Sequence, residues 1–343
     1  MDFALLYDGQ KCISGWGNHR SLHQPEGRCF WINNFETSHE RPWKCFENNQ
    51  ESSEIPSEFI EHLKFAKGWN CFDEKQFKNL WERAQEHISI HGLHKVVLAL
   101  SDRSNDFYTK NVLPSFGSRA GFFYAFKIQD DLVWGYTPEL FFKKNFSSLE
   151  TVALAGTYKF NQLKASHAKN ENLKNNLSGE RERALNFEHS VVVEYFQKLA
   201  KSLNVSLSFS ERQELVQGNI AHLQTKICFE NFHTQNINEF ISHMHPTPAL
   251  GVYPKNNHSL KALYSLRNHA ELPSFYGAPF GFCDDSTALF VVMIRGHFFE
   301  NNFNHEKTLK RTIGVGITKY STFEEEWAEL EQKRKSMELL WNH

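Results

Sequence analysis

The chain has 343 residues, 40% of them hydrophobic and 14% aromatic, with 31 phenylalanines. That is enough apolar mass for a sizeable core in one large sheet assembly. A formal net charge of −2 and a pI near 6.8 give no general electrostatic case for nucleic acid or a membrane surface. No apolar run approaches the length of a transmembrane helix.

The N-terminus, MDFALLYDGQ, has acids where a secretory signal would be basic, so a cytoplasmic protein is expected. Short apolar runs broken by Gly, Asn and Pro read as strands and turns through residue 50. A polar loop at 51–58 leads into a short helix near 57–66. A longer helix follows from Asp73 to about Ile90, striped by Phe77, Leu80, Trp81, Ala84 and Ile88. The β-branched run His94 to Ser101 is a buried strand that opens with Lys95. That lysine either snorkels at a strand end or points into a site. Six scattered cysteines without a CxxC pair (Cys12, Cys29, Cys45, Cys71, Cys228, Cys283) read as reduced structural thiols, not zinc ligands or a disulfide framework.

The segments 121–128, 131–136, 140–144 and 149–155 read as consecutive strands of an antiparallel meander. Pro138 breaks it and leaves Glu139 pointing off the ladder. Gly156 permits a turn whose N–H can approach an anion. The Lys- and Asn-rich stretch 158–177 reads as a surface loop or lid. After a helix from Gly179 to Leu203, Asn219 to Phe229 alternates as a strand carrying His222 and Thr225. A helix spans Asn236 to His243. Three prolines and a glycine between His245 and Pro254 then make a rigid irregular segment, with Ala249 inside it. His243 and His245 read as a loop pair. A helix at 258–270 is followed by a turn at Phe275 to Gly281. Two long strands, Ala288 to Phe299 and Leu309 to Lys319, are joined by the hairpin ENNFNHEK.

The last stretch, Thr322 to Trp341, is a helix capped by Thr322 with Glu325 three residues on. With about 100° per residue, Leu330, Met337, Leu340, Trp341 and Trp327 share one arc. Glu326 and Lys333 fall inside that arc and Glu329 flanks it. In the Gly179–Leu203 helix, Glu188 lies at the middle of the face made by Ala184, Leu185, Val191, Val192, Tyr195 and Leu199. A buried unpaired carboxylate costs several kcal/mol, roughly, so these acids need partners. Two explanations stand: internal salt bridges, or a hard cation such as Mg²⁺ holding an anionic ligand between the helices.

One ordered set of motifs narrows the choice. It comprises Glu139 in Thr137-Pro138-Glu139, Leu154-Ala155-Gly156-Thr157, Glu188-His189, His222-Leu223 with Thr225, and HPTPALG at 245–251. It continues with Tyr276-Gly277, Arg295 in VVMIRG, GVGI at 314–317 and E-x-x-E-x-x-x-K at 326–333. In this order they resemble the chorismate-utilising enzymes, over roughly residue 90 to the end. The resemblance implies an α+β fold, one domain of two large stacked antiparallel β-sheets flanked by helices. The motif-bearing part is then about 90–343, behind a short divergent part, 1–90.

The same resemblance implies roles. Glu188 and Glu329, with Glu326 nearby, match carboxylates that hold Mg²⁺. Lys333 and Arg295 match groups that hold substrate carboxylates. Ala155, Gly156, Thr157, His222, Thr225, Ala249, Tyr276, Gly314 and Gly316 match other substrate contacts. Lys95 matches the general base of isochorismate and salicylate synthases, where anthranilate and aminodeoxychorismate synthases usually carry Gln. Glu139 matches the general acid. Ala155 cannot act as the covalent nucleophile that many aminodeoxychorismate synthases place there. Ala249 resembles isochorismate synthases. Departures are Leu100 for an Arg, Leu185 for an acid, Pro273-Ser274 for Arg-Gly, Val252 for a Gly, and a longer 295-to-314 hairpin. The expected function is therefore a Mg²⁺-dependent isochorismate synthase, serving menaquinone or siderophore biosynthesis. It would be a monomer or weak dimer whose partner is chorismate, with no nucleic acid or membrane. The alternatives are a salicylate synthase and a non-catalytic chorismate-binding protein.

Overall fold

Alternation sets the architecture from the first strand. In β1 (Phe3–Tyr7), Ala4 and Leu6 face one core while Phe3 and Leu5 face another, as period-two side chains of a strand buried on both sides must. In a computed structural model, the described residues are 1–110, 113, 121–145, 148–159, 179–217, 220–230, 236–301 and 306–341. The expected lid lies almost wholly outside them, as does the middle of the 300–307 hairpin.

The chain continues through β2 (Cys12–Leu22), β3 (Cys29–Ile32), β4 (Trp43–Ser52), α1 (Ser57–Ile60), β5 (Lys64–Ala66), α2 (Glu74–His91), β6 (Lys95–Ser104) and β7 (Phe107–Thr109). Next come β8 (Phe122–Ile128), β9 (Asp131–Thr137), β10 (Leu140–Asn145), β11 (Ser148–Lys159), α3 (Gly179–Leu203), β12 (Ser206–Phe209), β13 (Gln213–Gln217) and β14 (Ile220–Glu230). The last part holds α4 (Ile237–Met244), β15 (Val252–Tyr253), α5 (Asn257–His269), β16 (Pro279–Cys283), β17 (Thr287–Val292), β18 (Gly296–Asn301), β19 (Lys307–Thr318) and α6 (Phe323–Trp341).

Among the described residues, seventeen strands share one antiparallel ladder. Followed through its hydrogen bonds, it runs β14–β11–β10–β17–β16–β3–β4–β2. It continues β1–β8–β9–β18–β19–β6–β15. The ladder folds over on itself. Phe126 of β8 and Phe280 of β16 stack with ring centroids 5.7 Å apart, although β3, β4, β2 and β1 separate them along the hydrogen bonds. The fold is thus the expected α+β stack, with its two sheets continuous through the long strands β2 and β4. Residues 1–52 supply the four strands at that junction.

The layer between the sheets holds Phe30, Phe280, Tyr124, Phe126 and Val291, and is continuous with α2, α5 and α6 packed beside β6 and β19. On one outer face, α3 and α4 cover Trp43, Phe142 and Phe290 through Val192 and Phe240. On the other, Phe59 of α1 meets Phe3 and Trp134. Helix ends follow the sequence signals. Asp73 and Gln76 form a capping box at the start of α2, and Gly92 ends it at φ 66°.

Four local expectations are corrected. The meander is not consecutive: β9 pairs with β8 and β18, whereas β10 pairs with β11 and β17. Pro138 is the point where the chain crosses between sheets, because it removes a ladder donor there. The long strand Ala288–Phe299 is interrupted between β17 and β18, with Arg295 at φ 51°. The short helix ends at Ile60 and is followed by β5. Cys29 and Cys45 are joined by a disulfide with Cα atoms 4.4 Å apart. Strand pairing brings these two cysteines opposite one another, and sequence distance concealed it. Among the described residues, no helix is long and apolar enough to cross a membrane.

Candidate active site

Both breaks in the ladder open onto one cavity. At the first, Glu139 is anchored by its backbone: its N–H donates to Thr137 Oγ1 at 3.1 Å, and its carbonyl accepts from Val292 N at 3.1 Å. Its side chain is buried in the cavity wall. Burial pushes its carboxyl up to about 7, against the opposing pull of Lys95, Lys333 and Arg295. Near neutrality this group can give a proton, which an exposed glutamate cannot do.

At the second break, Arg295 Nη2 donates to His222 Nε2 at 2.8 Å, and His222 Nδ1 lies 2.9 Å from Thr157 Oγ1. Burial, then Arg295 and Lys333, hold His222 well below its ordinary value. The imidazole is therefore neutral, with Nε2 accepting and Nδ1–H donating to Thr157. Thr157 and His222 face each other across β11 and β14 only because the register shifts between Ala155 and Thr157. Gly156 makes that shift at φ 81°, and a Cβ there would meet Leu185 O at 3.0 Å. Burial lowers the Arg295 guanidinium to about 10, still cationic at neutral pH.

The third wall comes from α3, β6, β19 and α6. His189 Nε2 and Thr225 Oγ1, 2.9 Å apart, lock α3 to β14. The preceding residue, Glu188, is thereby directed at β6, and its Oε1 is 2.8 Å from the fully buried Lys95 Nζ. The contact is an ion pair without hydrogen-bond alignment, since Lys95 Nζ has no well-formed hydrogen-bond partner among the described residues. A side chain on Gly316 would collide with Glu188 Oε1 and come within 2.8 Å of Lys95 Cε. On α6, Lys333 Nζ donates to Gly314 O at 2.9 Å and pairs with Glu329 Oε1 at 2.8 Å.

Glu139, Ala155, Thr157, Glu188, His222, Ala249, Tyr276, Arg295, Gly314, Gly316 and Lys333 all line this cavity. Lys95 stands behind Glu188, Thr225 behind His189, and Gly156 behind the β11 turn. Glu326 and Glu329 are outside the lining, Glu326 being only 3% exposed. Among the described residues, no three His, Cys, Asp or Glu side chains converge on one point. The three acids therefore do not form a ready carboxylate cage; Glu188 and Glu329 each face a lysine. Both remain hard oxygen donors, and Mg²⁺ needs only one or two protein carboxylates when water and an anionic ligand supply the rest.

Sequence reasoning missed Val97, Thr312 and Met337 in the lining. Periodicity carried the signal: Val97 is two residues from Lys95, Thr312 two from Gly314, and Met337 four from Lys333. Also missed was a buried ionic cluster that fastens α6. Asp102 Oδ2 accepts from Arg311 Nη2 at 2.6 Å, and its Oδ1 lies 3.3 Å from Arg334 Nη2. Arg334 directly follows Lys333.

Arg295, Lys333 and neutral His222 ring a cavity whose charge suits a small anionic molecule, with the raised carboxyl of Glu139 in its wall. The chain belongs to the chorismate binding enzyme family, whose sequence model matches residues 22–340. Solved structures agree on the fold. The chain is similar to a Bacillus anthracis protein assigned as the 2,3-dihydroxybenzoate-specific isochorismate synthase DhbC. It is 17% identical to that protein, covers 99% of this chain and 96% of the other, and has a TM-score of 0.71. Against MenF, the menaquinone-specific isochorismate synthase of Escherichia coli, the values are 17%, 99% and 88%, with a TM-score of 0.72. Against anthranilate synthase component I of Streptococcus pneumoniae they are 13%, 98% and 89%, with a TM-score of 0.62. No curated protein matches the chain in sequence.

Proposed function

We propose that the protein is an isochorismate synthase. The observation that carries this reading is a raised carboxyl in the cavity wall, Glu139, with a buried lysine, Lys95, just behind the wall at Glu188. Glu139 holds its proton near neutrality, and Lys95 is the cation acting most strongly on it. Water addition to the chorismate ring needs that pair. Lys95, acting from its deprotonated amine form, takes a proton from water as the oxygen adds at ring C2. Both ring double bonds shift, and the C4 hydroxyl leaves as water with the proton of Glu139. One water enters and one departs, so the reaction is an isomerisation.

Arg295 and Lys333 would hold the carboxylates of the substrate, each as a charge-assisted donor. His222, fixed as an acceptor, keeps the Arg295 guanidinium aimed into the cavity. Glu188 and Glu329 would hold Mg²⁺, with the buried Glu326 one helical turn before Glu329. The ion, when bound, neutralises substrate carboxylate charge and fixes its pose. A lysine at position 95 favours water over ammonia as the nucleophile, in keeping with the isochorismate branch of the resemblance.

The test is to incubate the protein with chorismate and Mg²⁺ and resolve the products by chromatography. Isochorismate as the main product is expected. Salicylate with pyruvate rejects this reading for a salicylate synthase. Anthranilate formed only with ammonium rejects it for an amine-adding enzyme. Chorismate binding by calorimetry without turnover leaves a non-catalytic binding protein.

A further inference from the structure

Away from this cavity, three cysteines lie in one row. Cys283 of β16 is the register partner of Cys29 of β3. Cys29 is in turn bonded to Cys45 of β4. All three belong to the outer-face core under α3 and α4. The two bonded sulfurs differ in their surroundings. Cys29 is completely buried, whereas Cys45 is 8% exposed and forms part of the wall of a second, polar cavity. His19, Arg20, Glu26, Arg28 and Glu47 line that cavity with it. Arg20 pairs with Glu26 and Arg28 with Glu51, so the cavity carries both signs of charge and suits a small polar molecule. Among the described residues, Arg28 Nε is buried there without a hydrogen-bond partner.

The backbone also takes part. The Glu26 amide donates to Cys29 Sγ at 3.4 Å. In a thiol–disulfide exchange the attacked sulfur forms the new bond, and the other departs as a thiolate. The Glu26 N–H favours negative charge on Cys29 Sγ as the bond breaks, and the Glu26 carbonyl, also 3.4 Å away, accepts the S–H once that sulfur is protonated. Access from the cavity sets the direction, and these two backbone groups receive the released Cys29. Cys283 is not the attacking group: burial pushes its thiol up to about 12, and Asp284 adds to this.

We infer that the Cys29–Cys45 bridge is an exchange site for low-molecular-weight polar thiols, which attack Cys45 Sγ from the cavity beside Arg28 and release Cys29. Written for a monothiol RSH, its thiolate attacks Cys45 Sγ, the Cys29–Cys45 bond breaks, and Cys29 takes up the proton. The products are a Cys45–S–S–R mixed disulfide and a Cys29 thiol. A second RSH at Cys45 then gives both protein thiols and RSSR. Each bridge is reduced by two electrons drawn from two thiols, so no further reactant is needed.

The experiment uses the intact protein in native buffer with exposed Cys71 alkylated beforehand. Reduced glutathione is added, the reaction is quenched by acid and a second alkylating agent, and peptides are mapped by mass spectrometry. The expected result is a single glutathione adduct on Cys45, with Cys29 carrying the second label and Cys283 unchanged. An adduct on Cys29 overturns the direction of attack. Alkylation of both Cys29 and Cys45 without any reductant overturns the bridge itself. A bridge that opens only after denaturant is added overturns the access route. Glu26→Ala, which keeps the amide, should leave the mapping unchanged. A switch of the adduct to Cys29 in that variant would show that the side chain sets the direction, against the proposal.

Discussion

Replacing Glu139 with glutamine tests the electrostatics of the site without emptying it. Glu139 ionises near 7 in the folded chain, whereas an ordinary carboxyl ionises at 4.5. A raised value means that folding disfavours the charged form. The wild type therefore has its full stability below pH 4.5 and loses the Glu139 share as pH rises through 7. At 1.36 kcal/mol per pH unit, that share is about 3 kcal/mol. Unfolding entropy near 2.1 cal/mol/K per residue gives about 0.7 kcal/mol/K for a chain this size. The wild type should therefore lose about 4–5 °C in Tm relative to Glu139→Gln between pH 4.5 and pH 8. Other titrating groups are common to both proteins and cancel in the difference. Differential scanning at one scan rate over that pH range provides the measurement. The same variant should lose roughly 10²–10⁴-fold in kcat, because glutamine gives up no proton. A difference in Tm that stays flat with pH, with turnover preserved, would refute the idea of a protonated buried carboxyl.

Lys95→Ala should abolish water addition while leaving chorismate binding by calorimetry in place; unchanged turnover would remove Lys95 from the role of base. Gly316→Ala should lower kcat/KM sharply, since the new methyl must push Glu188 and Lys95 apart; a variant with wild-type kinetics would show that this spacing does not matter. Asp102→Asn leaves Arg311 and Arg334 without their shared anion. A cost of about 3–5 kcal/mol is expected, read as a Tm lowered by roughly 4–7 °C, with no loss if the cluster contributes nothing. Glu329→Gln should cut activity in a way that added Mg²⁺ partly restores if the carboxylate is a metal ligand. Loss that Mg²⁺ leaves untouched would confine Glu329 to holding Lys333.

Helical periodicity made the inward acids readable. Glu326 lies on the buried arc of α6 as its position in the sequence requires, and Glu188 reaches the cavity from the apolar side of α3. The strands were legible as segments, because each alternates or runs apolar over its own length. Their partners were not legible, since pairing is a choice among distant segments that local pattern cannot rank. That is why Pro138 read as a simple strand break when it carries the chain from β9 to β10 between sheets. It is also why Cys29 and Cys45 read as separate thiols. Asp102 was hidden for a related reason. An acid in mid-strand, whose sequence neighbour Arg103 pairs with Glu271 instead, looks misplaced until β19 and α6 bring Arg311 and Arg334 to it.

The two explanations for the inward acids are compatible. Glu188 and Glu329 do form internal salt bridges, each 2.8 Å from a lysine. A buried ion pair of this kind contributes little net stability, because desolvation offsets most of the attraction. Apolar residues at these four positions would stabilise the fold as well or better. The pairs therefore make more sense as charges kept for a ligand than as fasteners. Lys95 Nζ, without an aligned hydrogen bond, is not committed to Glu188, and Lys333 divides its donors between Glu329 and the Gly314 carbonyl. Each can exchange its carboxylate for a new partner. In the resting state, before Lys95 has given up its proton, counting Lys95, Lys333 and Arg295 against Glu188 and Glu329, with Glu139 protonated, leaves the cavity and its immediate surround one positive charge in excess. A dianionic ligand reverses that sign, and a divalent cation entering with it restores the original balance. Under the proposed function the site would take up the cation and the dianion as a unit without changing its net charge, the arrangement that costs least in a low-dielectric interior.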